Sequence, residues 1–238
     1  MFIAMLLAHL VGDYVLQWDS LAVWKSKALK GALAHGALVT VVTFLFAWIF
    51  DPAWWPWALF IGATHTSVDA LWLLNRRLPP KVQLNPLTRF VLDQAVHFSF
   101  IVMALVLSGY AAMPLLPTKM LSEMQSYRTL AYVIGYVFIT MPAWVVVEFM
   151  VYGLVRAPAP DFSPSANKYV GILERGLITT FVLLGQYGLV PLVALPRLMF
   201  DGPRMIGSQR STPYVAEVLA SITLAVAIGL GLRILAGR

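Results

Sequence analysis

Four histidines occur in the chain, His9, His35, His65 and His97, all before residue 98. Three of them have an aspartate four residues away: His9 with Asp13, His65 with Asp69, and Asp93 with His97. That spacing puts both side chains on one face of a helix, a turn apart. With seven aspartates in the chain, random placement gives three such pairs about once in a thousand trials at helical i,i+4 spacing. Imidazole and carboxylate together suit three kinds of chemistry. They can hold a divalent metal such as zinc, manganese or iron. They can relay protons or ions through a membrane. They can also serve as interhelical hydrogen-bond pairs, worth about 0.6 kcal/mol each. Three pairs plus His35 favour a site, because that gain poorly offsets so much buried polarity.

The elements that carry these residues read as membrane helices. Hydrophobic residues make up 60% of the 238 and charged residues 12%, against roughly 25% charged in soluble domains. The mean hydropathy is +0.78. The expected architecture is all-α, a polytopic transmembrane bundle of about seven spans (six to eight). The candidates are about 2–18, 31–50, 56–75, 88–109, 129–152, 169–190 and 213–235, near the ~20 residues that cross a bilayer. The first is short and polar; the sixth runs into Pro191 and Pro196, which leaves Leu189–Phe200 as a half-helix or interfacial segment. Met1-Phe2-Ile3-Ala4-Met5 lacks the basic start of a signal peptide, so it reads as a retained first helix. Trp48, Trp54, Trp55 and Trp57 bracket Asp51-Pro52 as an interfacial belt would. Residues 1–109 are expected to form a His/Asp-bearing four-helix bundle. Residues 110–238 supply the C-terminal helices, expected to form one continuous domain with the first bundle, with a proline-rich linker at 157–165.

Charge sets the expected orientation. Lys25, Lys27, Lys30, Arg76, Arg77, Lys81, Arg89, Arg156, Lys168, Arg233 and Arg238 fall on one side of this topology. Lys119, Arg128, Arg197, Arg204 and Arg210 fall on the other. The positive-inside rule puts the richer side in the cytoplasm, the N-terminus outside and the C-terminus inside. The net charge of +6, spread over short loops, fits topology and anionic lipid rather than nucleic acid. Absence of cysteine excludes thiolate metal sites and disulfides.

The two central pairs are symmetric about Lys81, in the loop between spans three and four. Antiparallel helices joined there would hold His65 and His97 at one depth and Asp69 and Asp93 at another. Span one reads His then Asp in the same direction as span three, and His35 opens span two. Seven ionisable side chains are therefore expected to converge in one half of a four-helix bundle.

The blocks His9-Leu10-Val11-Gly12-Asp13-Tyr14-Val15-Leu16-Gln17, Lys25 to Lys27, His35, His65 to Asp69 and Leu92-Asp93-Gln94-Ala95-Val96-His97 resemble a bacterial membrane-protein family, domain of unknown function 3307. Gly171-Ile172-Leu173-Glu174-Arg175, Leu183-Leu184-Gly185-Gln186-Tyr187 and Ala216-Glu217 extend the resemblance. The chain departs from the family pattern at Leu195-Pro196-Arg197 and Ser221-Ile222. The resemblance implies a bacterial inner-membrane protein and supplies no activity. The Thr64-His65 step is loosely similar to membrane-bound metal-dependent hydrolases.

The leading functional expectation is a metal-dependent hydrolase of a membrane or lipid-linked substrate. His9, His35, His65 and His97 are the candidate ligands. Asp13, Asp69 and Asp93 ligate, orient the histidines or act as general base. Arg76, Arg77 and Lys81 are candidates for holding an anionic headgroup, although as loop cations they already satisfy the topology rule. Glu174 and Arg175 either complete the site or pair structurally. The alternatives are a divalent-cation or proton transporter and a non-catalytic scaffold.

Overall fold

The computed structural model describes residues 1–75, 78–79, 81–155, 166–205 and 211–237. All regular structure among the described residues is helical. Two compact units divide the chain, Met1–Tyr127 and Arg128–Arg238.

The first unit contains α1 (Phe2–Leu10), α2 (Asp19–Lys25), α3 (Leu29–Phe50), α4 (Trp55–Asn75), α5 (Pro86–Leu107) and α6 (Leu116–Ser126). A π-helical turn, Val11–Val15, continues α1. Asp51 turns α3 into α4: its carboxylate accepts from the Ala53 N–H at 3.0 Å, and Pro52 opens the short 3₁₀ turn that follows. At α5, Asn85 is the cap, accepting from the Thr88 N–H at 2.8 Å, and Pro86 occupies the first position, where its missing N–H costs nothing. Glu123 of α6 closes the other end of the unit by accepting from the Ile3 N–H at 2.8 Å and meeting the Met1 amino group. It thereby satisfies donors that the first turn of α1 leaves orphaned.

The α3–α4 contact is unusually close. A Cβ at Gly36 would lie 2.0 Å from Thr66 Oγ1 and 2.7 Å from Thr66 Cβ. A Cβ at Gly62 would lie 2.2 Å from Thr40 Oγ1. The two Gly-x-x-x-Thr steps thus interlock reciprocally, the small-residue packing that lets membrane helices touch backbones. Each threonine hydroxyl bonds the glycine carbonyl one turn back, at 2.7 Å and 2.8 Å, so neither leaves a polar atom unpaired. His35 and His65 adjoin Gly36 and Thr66 and are carried together by this contact.

The unit is divided along its helices. Phe2, Met5, Ala47, Ala58, Ile101 and Leu105 belong to a fully apolar core at one end. The His/Asp residues lie further along the same helices. Trp54 is buried, whereas Trp48 and Trp55 are exposed, as a partial aromatic belt.

The second unit contains α7 (Arg128–Phe138), α8 (Met141–Val155), α9 (Ala166–Leu183), α10 (Val190–Met205) and α11 (Ser211–Leu235). The span expected at 129–152 is broken: α7 and α8 meet at 47°. Pro142 explains the place, since it offers no N–H to the carbonyl four residues back. The buried guanidinium of Arg175 donates to the freed region, to Ile139 O at 2.8 Å and Thr140 O at 3.2 Å, and to Ser221 Oγ at 3.2 Å. The expected sixth span ends at Leu183, and Gly185 at φ 76° supplies the left-handed turn that helix ends favour.

Among the described residues, three helices, α3, α5 and α11, are long and apolar enough to cross a membrane, and the bent α7–α8 pair would make a fourth. The count of about seven is not reached on this measure. The helix expected over 56–75 forms as α4, but its polar Thr64–Asp69 stretch lowers its hydropathy. Phe2–Val15 and Tyr187–Phe200 are apolar but short. Only 22–33% of the qualifying stretches is buried inside the chain. Outward residues such as Val41, Leu45, Ile49, Val91 and Leu107 stand exposed, a surface suited to lipid rather than water.

Candidate metal centre

His35 is wholly buried, and its Nε2 is crowded by potential ligands. Asp13 Oδ1 lies 3.0 Å away, His65 Nε2 3.2 Å and Asp69 Oδ2 3.6 Å. His65 Nε2 is itself 3.7 Å from Asp13 Oδ1 and 3.4 Å from Asp69 Oδ2. One imidazole proton cannot bridge three acceptors. A metal ion can be shared by donor atoms that converge in this way, as Asp13, His35 and His65 do. Metal bonds of ~2.0–2.1 Å give a tetrahedron with edges of about 3.3 Å, and the five separations bracket that value.

His35 Nε2 makes hydrogen-bond contacts with Asp13 Oδ1 and His65 Nε2, but other polar atoms of the cluster are less well served. Asp69 Oδ2 has no hydrogen-bond partner among the described residues, although three nitrogens surround it within 3.6 Å. His97 Nε2 and Asp93 Oδ1 face each other at 3.3 Å, yet neither makes a hydrogen bond among the described residues. Buried polar atoms are normally satisfied. Orphans that converge on shared points are what a missing cation would leave. Asp13, His35 and His65 form one group able to hold an ion, and His65, Asp69 and His97 form another.

Local structure explains the convergence. His65 with Asp69 and Asp93 with His97 are one-turn pairs on α4 and α5. Asp13 does not pair with His9. It lies in the π turn, where Leu16 N–H bonds Val11 O at 2.8 Å, and the wider turn directs its carboxylate to His35. Such π insertions are frequent at functional sites. His9 Nε2 instead pairs with Gln94 Oε1 at 3.2 Å. Its ring lies 5.8 Å from that of His97 and 6.1 Å from that of His65.

Two residues not singled out from the sequence complete the cluster. Lys25 Nζ is 3.3 Å from Asp13 Oδ1 and 3.2 Å from Asp69 Oδ2. A Cβ at Gly31 would be 2.4 Å from the Trp24 carbonyl, so the bare glycine lets α2 press against α3 and deliver Lys25. Burial pulls the Lys25 ammonium down, but Asp13, Asp69 and Asp93 outweigh it and hold the pKa above the ordinary lysine value. Gln94 is the other addition. Its amide nitrogen donates to Asp93 Oδ2 at 3.1 Å and Asp13 Oδ2 at 3.4 Å, leaving each Oδ1 turned to the imidazoles. Gln94 sits three residues before His97, a same-face spacing that could have revealed it. Lys25 reads from sequence as a topology lysine and as part of the Lys25 to Lys27 block of the resemblance, not as a member of the cluster.

Three aspartates against one lysine make the cluster rich in acidic groups, which attract cations, and two-nitrogen, two-oxygen donor sets suit zinc, manganese and iron. Beside the ring faces of His9, His65 and His97, with Thr43 and Thr64, lies a cavity of about 10 Å³, room for about one water.

Arg76 and Arg77 fall outside the described residues, as does the 157–165 linker. Lys81 is exposed in the α4–α5 loop. Glu174 and Arg175 belong to the second unit, where Arg175 fastens the α7–α8 break and Glu174 accepts from Arg197 at 3.2 Å. Arg197 also pairs with Glu217 at 2.5 Å.

No curated protein and no solved structure matches the chain, so the loose likeness to metal-dependent hydrolases gains no support there. One family does match, over residues 1–141, the span that carries every His/Asp residue of the cluster: the chain belongs to the family described as Protein of unknown function (DUF3307).

Proposed function

We propose that the N-terminal unit is a metal-dependent hydrolase centre, set in a multi-pass protein of the bacterial inner membrane and acting on a membrane or lipid-linked substrate. Its divalent ion is held by Asp13, His35, His65 and Asp69. The observation that carries the proposal is the set of five separations, 3.0–3.7 Å, that link four buried donor atoms. A zinc, manganese or iron ion bound there supplies a water acidified toward pKa ~7. The chain's own groups do the rest. The cavity beside His65 and His97 has room for about one water. Asp93, whose side chain is 19% exposed beside His97, is the carboxylate outside this ligand set and serves as the proton acceptor. Lys25, 20% exposed at the rim, meets an anionic part of the substrate. Trp18, which precedes α2, and Trp24, in its last turn, are exposed, as suits a segment at the headgroup level, where such a substrate would enter. The loop charges put the N-terminus outside and the C-terminus in the cytoplasm.

Cation transport is less well supported. The polar groups stop at the apolar core of Met5, Ile101 and Leu105, each no more than 2% exposed, and a carrier needs a path to both faces.

The test is elemental analysis of detergent-purified protein beside His65→Ala and Asp13→Asn. It is paired with hydrolysis of bis(p-nitrophenyl) phosphate and p-nitrophenyl esters by zinc- or manganese-loaded protein in nanodiscs. Bound metal and metal-dependent turnover, both lost in the variants, support the proposal. Metal-free wild type, or movement of the metal across proteoliposomes down its gradient without hydrolysis, overturns it.

A further inference from the structure

We infer that the centre is dinuclear: a second divalent cation is held by His97 Nε2, Asp93 Oδ1 and Asp69 Oδ1, with Asp69 bridging the two ions. The inference rests on the metal reading above and goes beyond it in number and arrangement.

Three observations carry it. Asp69 presents its two oxygens to different partners: Oδ2 faces His35 and His65, whereas Oδ1 faces His97 Nε2 at 4.0 Å. The His65 and His97 rings are stacked, with centroids 4.0 Å apart and planes 15° apart. Two near-parallel imidazoles at that distance, each giving one nitrogen to its own ion, suit the ~3.5–4 Å spacing of two-metal sites. Finally, His97 Nε2 and Asp93 Oδ1 are close, buried and without hydrogen bonds among the described residues. Their failure to bond each other at 3.3 Å means that the ring nitrogen and the carboxylate oxygen are not aimed at one another. An ion between them satisfies both.

The surrounding contacts fit this division. Gln94 ties down the outer oxygens of Asp13 and Asp93, one carboxylate from each position, so a single amide sets the orientation of both halves. His9, engaged by Gln94 Oε1, lines the cavity next to the second position rather than ligating. Asp93 then becomes a ligand, and a water held between two ions needs no separate base to ionise. Bundles with inward carboxylates and histidines on facing helices hold metal pairs by this logic.

The experiment uses full-length protein in detergent, loaded with manganese(II) and freed of excess by gel filtration. Elemental analysis counts ions per chain, and low-temperature electron paramagnetic resonance reads their coupling. Wild type is expected to hold two ions with an exchange-coupled spectrum. His97→Ala and the near-isosteric Asp93→Asn are each expected to hold one, with an uncoupled six-line spectrum, and circular dichroism reports whether each has folded. One ion in wild type, or two uncoupled ions, overturns the dinuclear inference while leaving the metal centre standing. No ion in wild type removes both. Two coupled ions retained in folded Asp93→Asn and His97→Ala also overturn the inference, because the second ion would then lie elsewhere.

Discussion

Gly36→Ala separates the role of the α3–α4 contact from that of the ligands themselves, since it changes no ligand. The added methyl would lie 2.7 Å from Thr66 Cβ and must retreat about 0.7 Å to reach ordinary contact at 3.4 Å. Rotating the Thr66 hydroxyl away does not help, because Cβ is fixed to the backbone. Two effects on stability oppose one another. Alanine gains about 1 kcal/mol of helix propensity over glycine, whereas overpacking costs about 1–3 kcal/mol. The net change is a loss of about 0–2 kcal/mol. The effect on the site is less ambiguous. Adding the same displacement to the 3.2 Å separation of His35 and His65 stretches that edge well past the ~3.3 Å of a regular tetrahedron with ~2.0–2.1 Å bonds. We expect metal affinity to fall ten- to a hundredfold, the range seen when supporting residues are lost. Competition with a chromophoric chelator measures it. Gly36→Ala/Thr66→Gly, which moves the methyl to the opposite helix, should recover most of the affinity. A Gly36→Ala protein with wild-type affinity and melting temperature would refute the reasoning, because the helices would then not be held at contact distance.

Gln94→Ala should weaken metal binding by ten- to a hundredfold without touching a ligand; Gln94→Glu, which cannot donate to Asp13 and Asp93, should do no better in the same chelator assay. Arg175→Met should destabilise the C-terminal unit by about 2–4 kcal/mol, since it strips the buried Ile139 and Thr140 carbonyls of their donor, with metal content unchanged; thermal unfolding with elemental analysis checks both halves. For Glu123, burial alone would raise the pKa, but the Met1 amino group and the Ile3 N–H outweigh it and hold the carboxyl below the ordinary value of 4.5. A group depressed on folding stabilises above its unfolded pKa and loses that stability as pH falls through the folded value. The stability difference between wild type and Glu123→Gln should therefore be full at pH 6 and shrink below about 4.5, as followed by thermal melts across that range.

How much of this the sequence disclosed depends on the range of the interaction. His65–Asp69 and Asp93–His97 were legible because a regular helix makes four-residue neighbours unavoidable. His9–Asp13 misled because one π turn breaks that rule, and periodicity carries no sign of a single widened turn. Lys25 was hidden because a loop lysine beside an apolar helix satisfies the topology rule whether or not it turns inward. Gln94 was visible at the correct spacing from His97, but an amide on a membrane helix has too many ordinary uses. The long helices were readable from their apolar runs, whereas the short, polar α2 and α6 had no such run to show them. The number of spans was not readable, because hydropathy fades where the site itself places polar residues, in α4 and at the end of the first apolar helix. The α7–α8 break had a local signal in Pro142, whereas its fastening by Arg175 joins residues about 35 apart and leaves no local trace.

X-ray absorption at the metal edge of protein purified without chelator tests the centre most directly. The account predicts nitrogen and oxygen neighbours at about 2.0–2.2 Å, with outer-shell scattering from imidazole that weakens when His35 or His65 is replaced. Protein that purifies without metal and takes none up, or a metal whose spectrum shows only oxygen neighbours and does not respond to those replacements, would contradict it.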